Sequence, residues 1–120
     1  MQNHRALKVY QASHRLAIDV YALADQLPTH ERFALGDQLR RAVTSIPSNI
    51  AEGTGRSTQR DFCSYLDRAL GSAREIEFQL GHAESVGLVK GATVSRALQT
   101  VIVVQRMLTS LIQQVRRRER

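Results

Sequence analysis

The third quarter of the chain carries an apolar stripe with the seven-residue spacing of a long α-helix. Its steps alternate between four and three residues through Phe62, Leu66, Ala69, Ala73, Ile76, Leu80 and Ala83. Such a stripe is buried when the helix packs along an antiparallel neighbour. Thr58 and Asp61 have the spacing of a helix N-terminal capping pair. The pattern therefore predicts a helix over residues 58–86.

A second stripe continues through a proline. Leu39, Val43, Ile46 and Ile50 are spaced by four, three and four residues, although Pro47 lies among them. Proline inside a helix costs roughly 3 kcal/mol, because it removes a hydrogen bond and its ring clashes with the preceding turn. Two separate helices would usually reset the spacing. We therefore predict one helix over residues 37–52 that bends at Pro47.

The ends of this helix have sequence signals of their own. Gly36 is expected to break the preceding connection, residues 29–36, which has room for one helical turn. Asp37 is then expected to be the N-cap, because its carboxylate can accept from exposed N–H groups. Gly53 and Gly55 are expected to end the helix by adopting left-handed geometry.

The first and last parts of the chain complete an all-α architecture. A stripe over residues 6–27 ends before Pro28, and another covers residues 92–117. The first comprises Val9, Ser13, Leu16, Val20, Leu23 and Leu27, and the last Val94, Leu98, Val101, Gln105, Leu108, Ile112 and Val115. Four long helices with short connections predict one antiparallel four-helix-bundle domain over residues 1–120.

Some apolar residues lie outside these stripes. On the first helix they are Leu7, Tyr10, Ile18 and Tyr21, and the last helix is apolar all round at residues 101–104. A helix on the outside of a monomeric bundle needs only one apolar stripe. The surplus predicts burial against another copy of the chain, and so a homo-oligomer.

Residues suited to catalysis or metal binding are scattered. No two of the four histidines have helical spacing, and the single Cys63 beside Phe62 is typical of a small packing residue. No strand is predicted before Gly53 and Gly55, and no Gly-Lys-Ser/Thr follows them, so the two glycines do not match a phosphate-binding loop. We therefore expect no enzyme activity, metal or cofactor. The lone cysteine, and the lack of a signal peptide or membrane-spanning run, favour the cytoplasm.

Arginine is the remaining feature. The net charge is +6, and fifteen of the 17 basic residues are arginines. Guanidinium groups suit phosphate recognition, because they donate two parallel hydrogen bonds. The candidate nucleic-acid-binding residues are Arg40, Arg41, Arg56, Arg60, Arg116, Arg117 and Arg118. Base stacking is not expected, so contact would be to the backbone or to structured RNA.

A plainer interpretation of the arginines stays open. Arg56 or Arg60 could pair with Asp61, and Arg74 with Glu77, on a solvated surface. The basic tail, residues 116–120, could offset the negative end of the last helix dipole.

The stretch SIPSNIAEG at residues 45–53, followed by TGRST, resembles the family of bacterial 23S rRNA intervening-sequence proteins. The similarity extends over residues 27–57 and through the ALGSAREIEFQL segment, residues 69–80. The resemblance implies a cytosolic four-helix bundle that assembles into a barrel-like pentamer, with no catalytic residues. It also implies that Pro47, Asn49, Glu52, Gly53 and Gly55 form a structural motif at the bend and the following turn.

Relatives in this family lead to a functional expectation. Some are encoded within insertions in large-subunit rRNA genes, and others accompany diversity-generating retroelements, where they engage RNA and a reverse transcriptase. The expected partners are therefore a second copy of the chain, structured RNA or duplex nucleic acid, and a reverse transcriptase. The alternative is a protein-interaction scaffold with no nucleic-acid role.

Overall fold

The structure, a computed structural model, describes residues 3–118, and four long helices account for most of them. We number these helices α1 (His4–Asp25), α2 (Asp37–Thr54), α3 (Gln59–Ser85) and α4 (Ala92–Arg118). The described residues contain no strand, so the predicted all-α four-helix bundle is confirmed. The predicted domain also includes residues 1, 2, 119 and 120, which lie outside the described part.

The helices alternate in direction. α1 and α3 each pack against both α2 and α4, so α1 and α3 lie on one diagonal of the bundle. Because the connections are short, the start of α1, the end of α2, the start of α3 and the end of α4 meet at one end. The long dimension of the molecule is 49 Å.

The predicted stripes of α1, α2 and α3 form the core. All their members are buried, Ser13 included, and the Ser13 hydroxyl donates to the Tyr10 carbonyl oxygen at 2.8 Å. The stripe of α4 differs from the prediction at two positions. Leu98 and Gln105 are half-buried, and the core contains instead Val94, Ala97, Val101, Val104, Leu108, Leu111, Ile112 and Val115. The buried set keeps a seven-residue spacing, which the apolar run at residues 101–104 had obscured.

α2 runs through Pro47 as one helix, as predicted. Proline offers no N–H to the Val43 carbonyl oxygen one turn back. Polar side chains around it bond other backbone oxygens of the same helix. The Asn49 side-chain amide donates to the Ser45 carbonyl oxygen at 2.7 Å, and the Ser45 hydroxyl donates to the Ala42 carbonyl oxygen at 2.9 Å. The Ser45 hydroxyl also meets the Ser72 hydroxyl of α3. That α2 bends at Pro47 stays a prediction.

The connection between α1 and α2 is helical rather than broken. A turn at Thr29–Glu31 passes into a π-helix at Arg32–Gly36, and α2 follows directly. Gly36 is buried and has helical geometry, so the prediction that it breaks the chain is wrong. Asp37 is not the N-cap either. Its carboxylate accepts from the Arg40 guanidinium at 3.2 Å, because the preceding turns leave no open helix start to cap.

α2 ends at Thr54 with Gly55 as its C-cap, inside the predicted stop, but neither glycine adopts the predicted left-handed geometry. Gly53 is still inside α2, and Gly55 has a φ of −87°, which is right-handed. The predicted cap of α3 is confirmed, since the Thr58 hydroxyl accepts from the Asp61 backbone N–H at 3.1 Å. Within residues 3–118, no helix is long and apolar enough to cross a membrane.

Candidate nucleic-acid interface

The alternating helix directions divide the seven candidate arginines into two groups. Arg56 and Arg60 flank the α2–α3 turn, and Arg116, Arg117 and Arg118 end α4 at the same end of the bundle. Arg40 and Arg41 lie about 20 Å away along α2, given 1.5 Å of rise per residue. The start of α1 adds two more bases to the first group. We call the group Arg5, Lys8, Arg56, Arg60, Arg116, Arg117 and Arg118 the basic end.

Few acidic residues neutralise the basic end. Glu52 and Asp61 are the acids on its helix termini, and Asp67 follows along α3. The remaining acids that the structure describes lie in the other part of the bundle, at Asp19, Asp25, Glu31, Asp37, Glu75, Glu77 and Glu84. Within residues 3–118 the basic end therefore has a net charge of +4, from seven bases and three acids, whereas the remaining nine bases and seven acids leave +2.

Arg60, Arg117 and Arg118 are exposed, and none of them forms an ion pair within the described part of the chain. The expected pairing of Arg56 or Arg60 with Asp61 is not formed there, and neither is that of Arg74 with Glu77. Exposed cations without acidic neighbours keep a positive potential at the surface, which attracts polyanions. Among the predicted arginines at this end, these three are best placed to contact phosphate.

Arg40 has a different environment. Its guanidinium is only 26% exposed and donates to Asp25 at 2.9 Å as well as to Asp37 at 3.2 Å. It therefore links the end of α1 to the start of α2. Arg96 makes a similar link, because it donates two hydrogen bonds to the Asp19 carboxylate, at 2.8 and 2.9 Å. Hydrogen bonding and charge attraction from Asp19 raise the pKa of Arg96 above its ordinary value.

Arg56 is held by two neighbours on the basic end. Its Nη2 donates to the Glu52 carboxylate at 2.9 Å and to the Tyr65 hydroxyl at 2.5 Å. The same guanidinium lies over the Tyr65 ring, 4.6 Å from its centroid. An ion pair and a ring contact thus both favour this position of the Arg56 guanidinium.

Sequence reasoning missed the contact of two arginines with the Tyr65 ring. The Arg68 guanidinium also lies 4.6 Å from the centroid of the Tyr65 ring, so one half-buried tyrosine supports two cations. Tyr65 and Arg68 are three residues apart on α3, a spacing that places side chains on the same helix face. That spacing was the available signal. The contribution of Arg56 from the α2–α3 turn had no such signal.

The small residue at position 53 brings these groups together. A Cβ on Gly53 would lie 2.9 Å from the Tyr65 Cβ and 3.0 Å from the Phe62 Cδ1, closer than side chains normally approach. Only glycine lets α2 come this near to α3. The end of α2 and the turn after it can therefore bring Arg56 over the Tyr65 ring, with Glu52 as its ion-pair partner.

Two open clefts lie at this end of the bundle. One is lined by Asn3 and by side chains of the segment 53–62, which contains the α2–α3 turn. The other lies along the outer face of α3 and is lined by Arg60, Cys63, Ser64, Asp67, Arg68 and Arg116. In the second cleft, Arg116 donates to the Asp67 carboxylate at 3.0 Å. Cys63 is buried below it, and its Sγ lies 3.9 Å from the Ile112 carbonyl oxygen.

A metal centre has no ligand set in the described residues. Within residues 3–118, no group of three or more His, Cys, Asp or Glu side chains is arranged to hold an ion. The predicted basic tail extends to Glu119 and Arg120, which lie outside the described part of the chain.

Comparison with known proteins identifies relatives of the chain. The sequence profile of the family described as 23S rRNA-intervening sequence protein matches residues 5–110, most of the chain. A crystal structure of a protein of unknown function from the S23 ribosomal protein family of Bacteroides thetaiotaomicron has the same fold. It superposes with a TM-score of 0.82 at 24% identity, covering 91% of this chain and 98% of that one. None of the curated proteins compared with the chain matches it significantly.

Proposed function

The chain belongs to the 23S rRNA-intervening sequence protein family, and from this premise we propose that it is a non-enzymatic, homo-oligomeric cytoplasmic protein that binds structured RNA through its basic end. One observation carries the proposal. Seven basic residues face three acids where four helix termini meet, whereas nine basic residues face seven acids in the rest of residues 3–118, where Arg40 and Arg96 are paired. The name of the family, which refers to an insertion in ribosomal RNA, supports RNA as the polyanion.

The chemistry of the basic end suits phosphate contacts. Arg60, Arg117 and Arg118 can each donate two parallel hydrogen bonds to phosphate oxygens. Neutralised phosphates release condensed counterions, so such binding weakens steeply as salt rises. The Tyr65 ring is covered by guanidinium groups, so it is not available for base stacking. Recognition would then follow the shape and backbone of the RNA.

Self-association would multiply these contacts. Ile18 is 60% exposed and Tyr21 42% exposed on α1, and Ile102 and Val103 are exposed at a similar level on the adjacent α4. Burying apolar residues of this kind between copies is a common basis of oligomers. The resemblance favours a pentamer, in which each basic end would be present five times and weak contacts would add by avidity.

A titration of labelled RNA hairpin and of duplex DNA at two salt concentrations tests the nucleic-acid part. The triple variant R60Q/R117Q/R118Q should weaken RNA binding about tenfold or more and lower the salt slope by about 2 to 3. The matched control R15Q/R41Q/R74Q also removes three exposed, unpaired charges, but outside the basic end. It should change binding much less. Equal losses in both triple variants would contradict a localised interface.

Light scattering tests the oligomeric part separately. A mass well above the 13.5 kDa of one chain is expected at micromolar concentration. A monomer at that concentration would refute self-association and would leave the RNA titration to be judged on its own.

The scaffold alternative has one observation in its favour. Phe33 is 82% exposed and Phe78 is 71% exposed, and both lie away from the basic end. The Phe78 ring stacks on His82, with 5.9 Å between the ring centroids. These rings would suit a protein partner, and the resemblance names a reverse transcriptase. If neither RNA nor duplex DNA binds in a salt-sensitive manner at tens of micromolar, the scaffold function replaces the RNA-binding one.

A further inference from the structure

The cleft on the outer face of α3 combines several phosphate-binding groups. Arg60, Ser64 and Arg68 are spaced four residues apart, so their side chains follow one face of the helix. Arg116 approaches the same cleft from the end of α4. Three guanidinium groups and one hydroxyl therefore converge on an open concave surface. Together they present enough donors for a single phosphate group.

Arg68 is oriented without being neutralised. Its guanidinium lies over the Tyr65 ring, and it forms no ion pair or hydrogen bond among residues 3–118. A guanidinium that stacks through its flat face keeps the N–H groups at its edge for other partners. Tyr65 therefore holds Arg68 in one orientation while leaving its donors available.

Arg116 is paired, but with a partner it can release. It meets Asp67 at 3.0 Å, and the two side chains are 59% and 49% exposed. An ion pair this exposed contributes little stability, because water and salt screen it. A backbone phosphate carries one negative charge, as the carboxylate does, and its two free oxygens can accept parallel N–H bonds from a guanidinium, so it can compete with this exposed carboxylate for Arg116.

We propose that this α3 cleft binds one backbone phosphate of the RNA, with Arg60, Arg68 and Arg116 donating and Asp67 competing for Arg116. The inference rests on the proposed function and names the chemical group that one part of the interface recognises. It assigns Arg68 a ligand contact and Tyr65 a positioning role. Asp67 becomes an internal competitor, whose removal should strengthen RNA binding.

The test uses two substitutions with opposite expected signs on the full-length protein, titrated with a labelled structured RNA hairpin. Asp67→Asn should tighten binding about two- to fivefold, since it releases Arg116 from a weak exposed pair. Arg68→Gln should weaken binding several-fold and lower the salt slope by about 1. Arg68→Lys should recover only part of the affinity, because an ammonium lacks the planar fork.

Each variant has a matched control in the chain. Glu84→Gln removes an exposed, unpaired acid away from the basic end, and Arg74→Gln removes an exposed, unpaired arginine of the same helix. Glu84→Gln should not tighten RNA binding as Asp67→Asn does, and Arg74→Gln should not weaken it as Arg68→Gln does. Thermal unfolding followed by circular dichroism should be nearly unchanged in all of them, which separates a binding effect from a folding effect.

The outcomes separate this inference from the proposed function. If the wild type binds RNA but Asp67→Asn behaves like Glu84→Gln and Arg68→Gln like Arg74→Gln, the cleft assignment is overturned and RNA binding stands. If the wild type does not bind RNA, both fail. A further titration of the wild type and of Asp67→Asn uses inorganic phosphate at constant ionic strength. A response to Asp67→Asn for inorganic phosphate but not for RNA would also overturn the assignment to a backbone phosphate.

Discussion

Two short turns join α3 to its neighbours, one at each end of the bundle, and glycines serve a different purpose at each end. At the α2–α3 end, Gly53 in the last turn of α2 and Gly55 just after it have no left-handed geometry, and Gly53 is required by the close approach of two helices. In the α3–α4 turn, Gly87 and Gly91 have φ values of 82° and 94°, and a Cβ on either would meet nothing within 4 Å. Glycine is thus required by a close contact between α2 and α3 at one end, and by left-handed backbone conformation in the α3–α4 turn at the other.

The hydrogen bonds of the far turn support this distinction. The Leu88 N–H donates to the Ala83 carbonyl oxygen at 2.9 Å, and the Gly87 N–H donates to the Glu84 carbonyl oxygen at 3.1 Å. These two bonds form the Schellman arrangement, which needs a left-handed residue at the position of Gly87. Val89 is buried just beyond and anchors the turn to the core. The turn at the basic end has no such arrangement, and its shape follows from how α2 packs on α3.

The largest expected effect follows from Gly53→Val. The added side chain would collide with Tyr65 and Phe62, and overpacking of this kind costs about 1–3 kcal/mol. RNA affinity should fall as well, because Arg56 is placed by the same contact. Urea denaturation and the RNA titration measure the two effects. Gly71→Val is the control, since its Cβ would meet nothing within 4 Å, and it should leave both nearly unchanged. Similar losses for the two valine variants would show that close approach is not what Gly53 provides.

An intermediate effect is expected from Gly87→Ala at the far turn. Holding a residue with a Cβ in left-handed geometry costs about 1–2 kcal/mol, although space is available. Asparagine tolerates this geometry better, so Gly87→Asn should recover part of the loss. Thermal unfolding measures both variants, and RNA binding should not change. A Gly87→Ala variant as stable as the wild type would remove the conformational explanation for this end.

The smallest effect is expected from Gly55→Ala. Its φ is right-handed, and a Cβ would lie 3.6 Å from the nearest atom, the Glu52 carbonyl oxygen. Alanine at a compatible position stabilises slightly, by about 0.4–1 kcal/mol, because the unfolded chain has less freedom to lose. Urea denaturation should therefore show an unchanged or slightly higher midpoint. A clear loss of stability would indicate that Gly55 visits a conformation the structure does not show.

The sequence was sufficient for features that repeat along one helix. The stripes of α1, α2 and α3 were predicted residue by residue, because burial on one face imposes a regular spacing. α4 was harder, since its run at residues 101–104 is apolar all round and allows more than one stripe. The continuity of α2 through Pro47 could also be read from spacing, whereas the helical connection at residues 29–36 could not.

Features that depend on two helices were largely missed. The residues next to Gly53 in the sequence do not indicate that Tyr65 of α3 lies against it. The sequence therefore predicted that Gly53 ends the helix, whereas its role is to allow a close contact between two helices. The ring contacts of Arg56 and Arg68 depend on the same approach of α2 to α3. The separation of Arg40 and Arg41 from the basic end was within reach of the sequence, because it follows from antiparallel order alone.

The uneven distribution of charge has a kinetic consequence. A molecule 49 Å long with its excess charge at one terminus has a permanent electric dipole moment along its long axis. At 0.1 M salt the Debye length is about 10 Å, so a nearby polyanion acts on the closer terminus almost alone. The resulting torque would turn the bundle before contact, so that collisions begin with the correct terminus leading. Added salt should then slow association more than it hastens dissociation, which stopped-flow mixing can resolve.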